Sequence, residues 1–179
     1  MAQLNIREWK LPADDQSKND FDIVRDILLS TWLDTYSKII PPEELKAYLD
    51  YSCSNKKLEE FFKDKFTKGF IAEIDEKPVG WLRINMNQKE NKFYINQLYV
   101  LKDHQGKGIG KKLIGIAVDI ALKNNFDKIW LGVMSENIPS VNWYKSLGFV
   151  FEEEELFKMI NTTVNHLIGW KEISTSSKN

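Results

Sequence analysis

The amino-acid sequence predicts an α/β chain of the α+β type, with one mixed, mostly antiparallel sheet of about seven strands flanked by helices. Three observations carry that prediction. Short apolar runs bounded by turn-forming residues recur along the chain, apolar residues at helical spacing fill several of the intervals between them, and a glycine-rich loop joins one strand directly to a helix. At 179 residues the chain suits one domain with a sizeable core, and no segment repeats another.

Leu4 to Trp9 reads as a first strand, followed by a polar connection rich in Asp, Ser and Asn. Phe21, Val24, Ile27, Leu28, Thr31 and Trp32 then recur at helical spacing, which predicts a helix to about Tyr36. Pro41, Pro42, Glu43 and Glu44 open a second helix through Leu45, Tyr48 and Leu49, because proline and acidic residues suit a first turn. A third helical stretch carries Leu58, Phe61, Phe62 and Phe66. Phe70 to Ile74 and Val79 to Met86 read as a hairpin whose turn is Asp75-Glu76-Lys77-Pro78. Phe93 to Val100 pairs next.

Lys111 to Asn124 is an amphipathic helix with Leu113, Ala117, Ile120 and Ala121 on its apolar side. Lys128 to Met134 is a buried strand. In Glu136 to Phe149, Pro139 suits the first turn of a helix and Gly148 its left-handed stop. Val150 to Met159 and Val164 to Ile173 close the chain around the turn Asn161-Thr162-Thr163. The domain is expected to span 1–173, with the polar residues Ser174 to Asn179 as a flexible tail.

The chemistry concentrates in Tyr94-Ile-Asn-Gln-Leu-Tyr-Val-Leu-Lys-Asp-His-Gln-Gly-Lys-Gly-Ile-Gly110, a strand running into a glycine loop and a helix. Gly106, Gly108 and Gly110 let the backbone bend and approach a ligand, and the free N–H groups of the following helix suit an anion such as a pyrophosphate. A Walker loop is excluded, because Gln105 stands where its first glycine belongs and Lys112 where its hydroxyl belongs. A dinucleotide fingerprint fits Gly106 and Gly108 but meets Lys111 at its third glycine position. A glycine turn that holds no ligand is the bland alternative.

The segment resembles the Q/R-x-x-G-x-G/A acyl-CoA loop of the GNAT acetyltransferases, here Gln105, Gly108 and Gly110, preceded by Leu98-Tyr99-Val100 as the family's fourth strand. A second segment carries the resemblance further, with the family's Asn and Tyr positions filled by Asn137 and Tyr144. These two stand seven residues apart, close to two turns at roughly 3.6 residues per turn, so both face one side of a helix that starts near Asn137. Tyr144 also belongs to an ordinary packing stripe with Val141 and Gly148.

The resemblance implies acetyl-CoA as co-substrate, held where strands 4 and 5 splay apart. The backbone of Leu98, Tyr99 and Val100 would then meet the pantetheine arm and supply an oxyanion donor. Gln105, Gly106, Lys107, Gly108, Ile109, Gly110 and Lys111 would hold the pyrophosphate, Asn137 the arm, and Tyr144 would protonate the departing thiolate. It also implies direct transfer to a primary amine, with no covalent enzyme intermediate and no role for Cys53. Thr31 to Tyr36, Glu44 to Leu49 and Ile129 to Val133 resemble bacterial polyamine N-acetyltransferases, which makes spermidine or spermine the expected acceptor. A protein N-terminus, an amino acid, an amine drug, or a noncatalytic CoA-binding role are the rivals.

An amine with a lysine-like pKa of about 10.4 is neutral in only about one molecule in 2,500 at pH 7, so a group must take its proton. The stretch Tyr94 to Leu98 has no acid where many family members carry a glutamate, which leaves the base unassigned, with Glu73 a weak candidate. Glu152 to Glu155 reads as a solvated strand edge or as an acidic field for a polyamine.

Lys and Arg total 25 against 26 Asp and Glu, which gives no electrostatic drive toward nucleic acid or an anionic membrane. Cys53 alone builds no disulfide framework, and Cys53, His104 and His166 form no metal-ligand spacing. The first twenty residues lack a signal-peptide apolar core, so a cytoplasmic protein is expected, with a small-molecule amine as partner and the last hairpin as the candidate surface for a homodimer.

Overall fold

The computed structural model describes residues 3–12 and 19–173. The middle of the expected polar connection, 13–18, and the expected tail, 174–179, lie outside them. The elements in chain order are β1 (Leu4–Glu8), α1 (Asp20–Tyr36), α2 (Pro42–Ser52), α3 (Asn55–Lys63), β2 (Thr67–Ile74), β3 (Lys77–Asn87), β4 (Lys92–Val100), α4 (Ile109–Lys123), β5 (Lys128–Met134), α5 (Ile138–Ser146), β6 (Val150–Lys158) and β7 (Thr163–Glu172). They build one seven-stranded sheet in the order β1-β2-β3-β4-β5-β7-β6. Every neighbouring pair is antiparallel except β4 and β5, which run parallel with α4 as their crossover. Among the described residues no helix is long and apolar enough to cross a membrane.

Two cores form because the sheet is apolar on both faces. Leu82, Ile84, Phe93, Ile95, Ile129 and Leu131 meet Leu113, Ala117 and Ala121 of α4 and Val141 and Tyr144 of α5 on one face. Ile71 and Trp81 meet Val24 and Leu28 of α1, Leu45 and Leu49 of α2 and Leu58 of α3 on the other. Side chains alternate across a strand, so β3 sends Trp81 to the α1–α3 face and Leu82 to the α4 face.

The ends of the helices follow their sequence signals. Asn19, Ser54 and Asn137 cap α1, α3 and α5 through their side chains, and Gly148, at φ 89°, sits just beyond α5. Several boundaries differ from the sequence reading, among them the start of α4 at Ile109 and of β2 at Thr67, and two have a clear local cause. Phe66 lies beyond α3, because Asp64 ends the helix and its carboxylate takes the Phe66 N–H (3.0 Å) and the Thr67 hydroxyl (2.7 Å). The β2–β3 turn is only Asp75 and Glu76, at φ 48° and 65°, with Lys77 and Pro78 already in β3. Pro78 is tolerated beside a register shift at Ala72/Glu73, where it faces Glu73.

Two polar ties fasten the helices to the sheet. Arg7 in β1 spans Asp20 at the start of α1 (2.7 and 2.8 Å) and Glu73 in β2 (2.8 Å), and the two carboxylates raise its pKa further. Glu44, in the first turn of α2, accepts the N–H groups of Ile160, Asn161 and Thr162 and the Thr162 hydroxyl, at 2.7 to 3.2 Å. These bonds favour its carboxylate and hold its pKa at about 2.

Because the folded pKa of Glu44 lies below the unfolded value of 4.5, its contribution is fully present above pH 4.5 and lost as pH falls through about 2. Glu44→Gln is therefore expected to lower the melting temperature at pH 7, with the gap to the parent protein closing as the melts approach pH 2. Thermal melts across that range provide the check.

Candidate active site

β4 and β5 stay paired only over Phe93, Tyr94 and Ile95, opposite Ile129, Trp130 and Leu131. Beyond that point, among the described residues, β4 pairs only with β3, and Gly132, Val133 and Met134 of β5 pair only with β7. The parting begins at a bulge. Arg83 lies opposite Gln97 and Ile84 opposite Ile95, which leaves Asn96 as an extra, unmatched residue. The extra residue resets the alternation. Phe93 and Ile95 face α4, and so do Leu98 and Val100, while Tyr99 packs on Trp32 of α1. The backbone of Leu98 and Val100 therefore borders an open slot, and a cavity of about 430 Å³ lies along it toward α1, α2 and β7.

At the end of β4 a 3₁₀ turn, Lys102–His104, leads into the glycine loop. Gly106 and Gly108 stand at φ 73° and 82°, where side chains are strained, and a Cβ on either would meet nothing within 4 Å. Gly110 is needed for a different reason than bending. A Cβ there would come within 2.9 Å of the Trp143 ring, so this glycine lets α4 pack on α5.

No side chain caps the α4 N-terminus, which leaves its first N–H groups available to an anion. A second cavity of about 500 Å³ opens there, lined by Gln105, Gly106, Gly108, Ile109, Gly110 and Lys111 from one side and Pro139, Ser140, Trp143 and Tyr144 from the other. His104 also lines it and has a buried Nδ1 with no hydrogen-bond partner among the described residues. Uncapped donors, two open glycines and an adjoining slot fit a pyrophosphate carrying an extended arm.

Two of the expected loop contacts are used internally. Gln105 donates its amide to the Val100 carbonyl (3.0 Å), bracing the loop against β4. Lys107 Nζ donates to the Asp103 carbonyl (2.8 Å) and does not line the cavity. Ile109 is buried and anchors the start of α4, and Tyr99 borders only the first cavity.

Tyr144 borders both cavities and so marks where they meet. Its ring packs on Trp143 (4.9 Å) and Phe149 (5.5 Å), so the packing role and the exposure to the site coexist. Burial pushes its hydroxyl pKa up, which keeps the proton in place. Asn137 caps α5 by accepting from the Ser140 N–H (3.3 Å) and donates its amide to the Tyr36 hydroxyl (3.3 Å), joining α5 to α1.

The first cavity contains residues to which the sequence reading gave no role in the site, namely Arg83, Gln97 and His166. The His166 ring is stacked on Phe157 (4.4 Å, 4° between planes), and burial lowers its pKa against the opposing pull of Glu136 and Glu155. No Asp or Glu lines the cavity among the described residues. Glu73 is bonded to Arg7 (2.8 Å) and Asn5 (3.3 Å) and lies outside it. Glu152 to Glu155 are exposed on β6 and line neither cavity. The signal for Arg83 was its position, a lone cation inside the otherwise apolar run Val79 to Ile84.

The family model described as "Acetyltransferase (GNAT) family" matches residues 24–149. An uncharacterised N-acetyltransferase of Bacillus subtilis, YuaI, is 25% identical over 177 residues, covering 96% of this chain and 95% of the relative. The structure of the PaiA N-acetyltransferase of Thermoplasma acidophilum in complex with coenzyme A superposes with a TM-score of 0.79 at 21% identity, covering 96% of this chain and 99% of that one. The spermidine/spermine N-acetyltransferase SpeG of Vibrio cholerae superposes with a TM-score of 0.64 at 21% identity, over 95% of this chain and 92% of that one.

Gly108→Ala forces a side chain into the left-handed region, at a cost of about 1 to 2 kcal/mol, without blocking the cavity. Denaturant unfolding is expected to show that loss. Calorimetry with acetyl-CoA is expected to show weaker binding, because the loop no longer presents its N–H groups in register.

Proposed function

This chain belongs to the acetyltransferase (GNAT) family, and we propose that its two cavities bring acetyl-CoA and a primary amine together at Tyr144 for direct acetyl transfer. It is an acetyl-CoA-dependent N-acetyltransferase. The observation that carries the assignment of roles is that one buried tyrosine borders both cavities at the point where β4 leaves β5.

Acetyl-CoA supplies an acyl group activated as a thioester. The chain's residues do the rest. The uncapped α4 N-terminus and the loop from Gln105 to Lys111 hold the diphosphate end, while the edges of β4 and β5 take the arm as an added strand. A backbone N–H at Leu98 or Tyr99 stabilises the charge that grows on the thioester oxygen. As the N–C bond forms and the C–S bond breaks, Tyr144 gives its proton to the sulfur and recovers one from the nitrogen through water.

The amine must first lose its ammonium proton. His166 is the cavity's only imidazole among the described residues, and no carboxylate competes for the role. Its lowered pKa leaves it neutral at pH 7 and able to accept that proton through water. The polyamine acceptor implied by the sequence resemblance draws support from the SpeG-like fold. The cavity favours it less. An ammonium group in the cavity that Arg83 lines meets like-charge repulsion, and no lining carboxylate offsets it among the described residues.

Thiol release from acetyl-CoA, measured with a panel of amino acids, peptides, spermidine and spermine, tests the assignment. Tyr144→Phe is expected to lower kcat about 10²- to 10⁴-fold while acetyl-CoA binding stays close to that of the parent. No release with any amine, despite tight acetyl-CoA binding, would contradict it. The pH profile tests His166 separately. A depressed pKa means that the base form is present above that pKa and disappears as pH falls through it, so activity is expected to decline only below pH 6.5. His166→Gln is expected to be slower and to lose that acid limb.

A further inference from the structure

Among the described residues Arg83 has no counter-ion, and it lines the first cavity. It sits on β3 directly opposite Gln97, on the α1–α3 side of the sheet. Its guanidinium lies over the Phe61 ring (4.1 Å to the centroid), and its Nε donates to Gln97 Oε1 (3.1 Å). That same oxygen accepts the Trp81 indole N–H (2.9 Å), and the Gln97 amide contacts Cys53 Sγ (3.7 Å). Gln97 is itself buried, at 8% exposure, so Phe61 and Gln97 fix both the plane of the guanidinium and its Nε edge.

What the protein leaves unused is the outer edge. Among the described residues neither terminal nitrogen of Arg83 meets a protein acceptor, and no carboxylate lies within ion-pair distance. The titratable groups that face it are Cys53, Tyr48 and Tyr99, none of them a carboxylate. A second buried donor lines the same cavity. The indole Nε1 of Trp32, a lining residue only 5% exposed, is buried beside the Tyr99 hydroxyl without a hydrogen bond of normal geometry. A half-buried guanidinium whose own partners exhaust only its Nε is an arrangement that calls for an acceptor from outside. The planar fork of two terminal nitrogens matches a carboxylate in two parallel bonds.

We propose that Arg83, held by Gln97 and Phe61, binds a carboxylate on the acceptor, so that the substrate is a compact amine that also carries an acid group. The inference rests on the acetyl-transfer reading and narrows it from any primary amine to an amino acid or a short amino-terminal peptide. Arg83 is then a specificity-determining residue, with no part in the proton transfers at Tyr144 and His166. It also gives the cavity a reason to exclude polycations, which would meet an unneutralised guanidinium.

Matched acceptors test this. Thiol release is measured for amino acids and dipeptides, each against its own carboxamide, with spermidine alongside. The parent protein is expected to use the acids at least about tenfold better in kcat/KM than the amides, with the difference in KM. Arg83→Gln is expected to bring the two within about threefold of each other, chiefly by raising KM for the acids, and Arg83→Lys is expected to keep only part of the preference. Melting curves confirm that the variants fold. Equal use of acid and amide by the parent, preference for spermidine, or an equal loss on acid and amide in Arg83→Gln would each overturn the proposal while the transferase reading stands.

Binding is measured independently of turnover. Calorimetry with N-acetylated amino acids and their amides, in the presence of CoA, is expected to show at least about tenfold tighter binding of the acids to the parent and no preference in Arg83→Gln. Equal binding to the parent overturns the carboxylate assignment even if no amine is acetylated, an outcome that would separately end the transferase reading.

Discussion

The structure depends on one extra residue in β4. Asn96 has no partner across β3, and from there onward β4 no longer runs beside β5. Two strand edges that would otherwise satisfy each other are left facing a slot, and unpaired backbone donors and acceptors are what an extended arm needs. The same insertion turns Gln97 and Tyr99 toward α1 and Leu98 and Val100 toward α4, so one bulge sets which residues of β4 face each side of the sheet. The cores on both faces keep the two halves of the sheet in place while its middle opens.

The chemistry of the two cavities is divided by charge. The loop side offers uncapped helix N–H groups and Lys111, which suit a phosphate-bearing ligand. The other side is lined by aromatic rings, a neutral imidazole and a single guanidinium, and among the described residues it has no carboxylate. Burial raises the pKa values of Tyr36, Tyr99 and Tyr144 together, so the phenols that converge on the junction all keep their protons. A protonated Tyr144 offers an O–H donor at the junction, the property that the proposed proton transfer to a thiolate requires. The hairpin that carries Phe157 and His166 is fixed from outside by Glu44, so a residue of α2 sets the position of the imidazole without entering the site.

Much of this was legible in the sequence because it is local. Pro42, Gly148, the apolar spacing of α1 and α4, and the bounded strand at Lys128 to Met134 are signals that a few neighbouring residues impose. The positive φ values at Gly106 and Gly108 likewise follow from residue type in a strand-to-helix turn. Long-range partners left no such trace. Glu44 meets residues 116 to 118 positions away, and Asn137 reaches Tyr36 across 101. Arg83 becomes meaningful only when α3 brings Phe61 over it and the bulge turns Gln97 toward it. The purpose of Gly110 was hidden for the same reason, since it is Trp143 of another helix that leaves no room for a side chain.

Hydrogen exchange of the backbone amides along the slot tests the central claim most directly, because it reads the unpaired edges themselves. Addition of acetyl-CoA should slow exchange in the segments Asn96 to Val100 and Gly132 to Met134 and at the start of α4, leaving the exposed β6 edge unchanged. Full binding of acetyl-CoA with no added protection in those segments would mean that the gap between β4 and β5 is not where the arm lies.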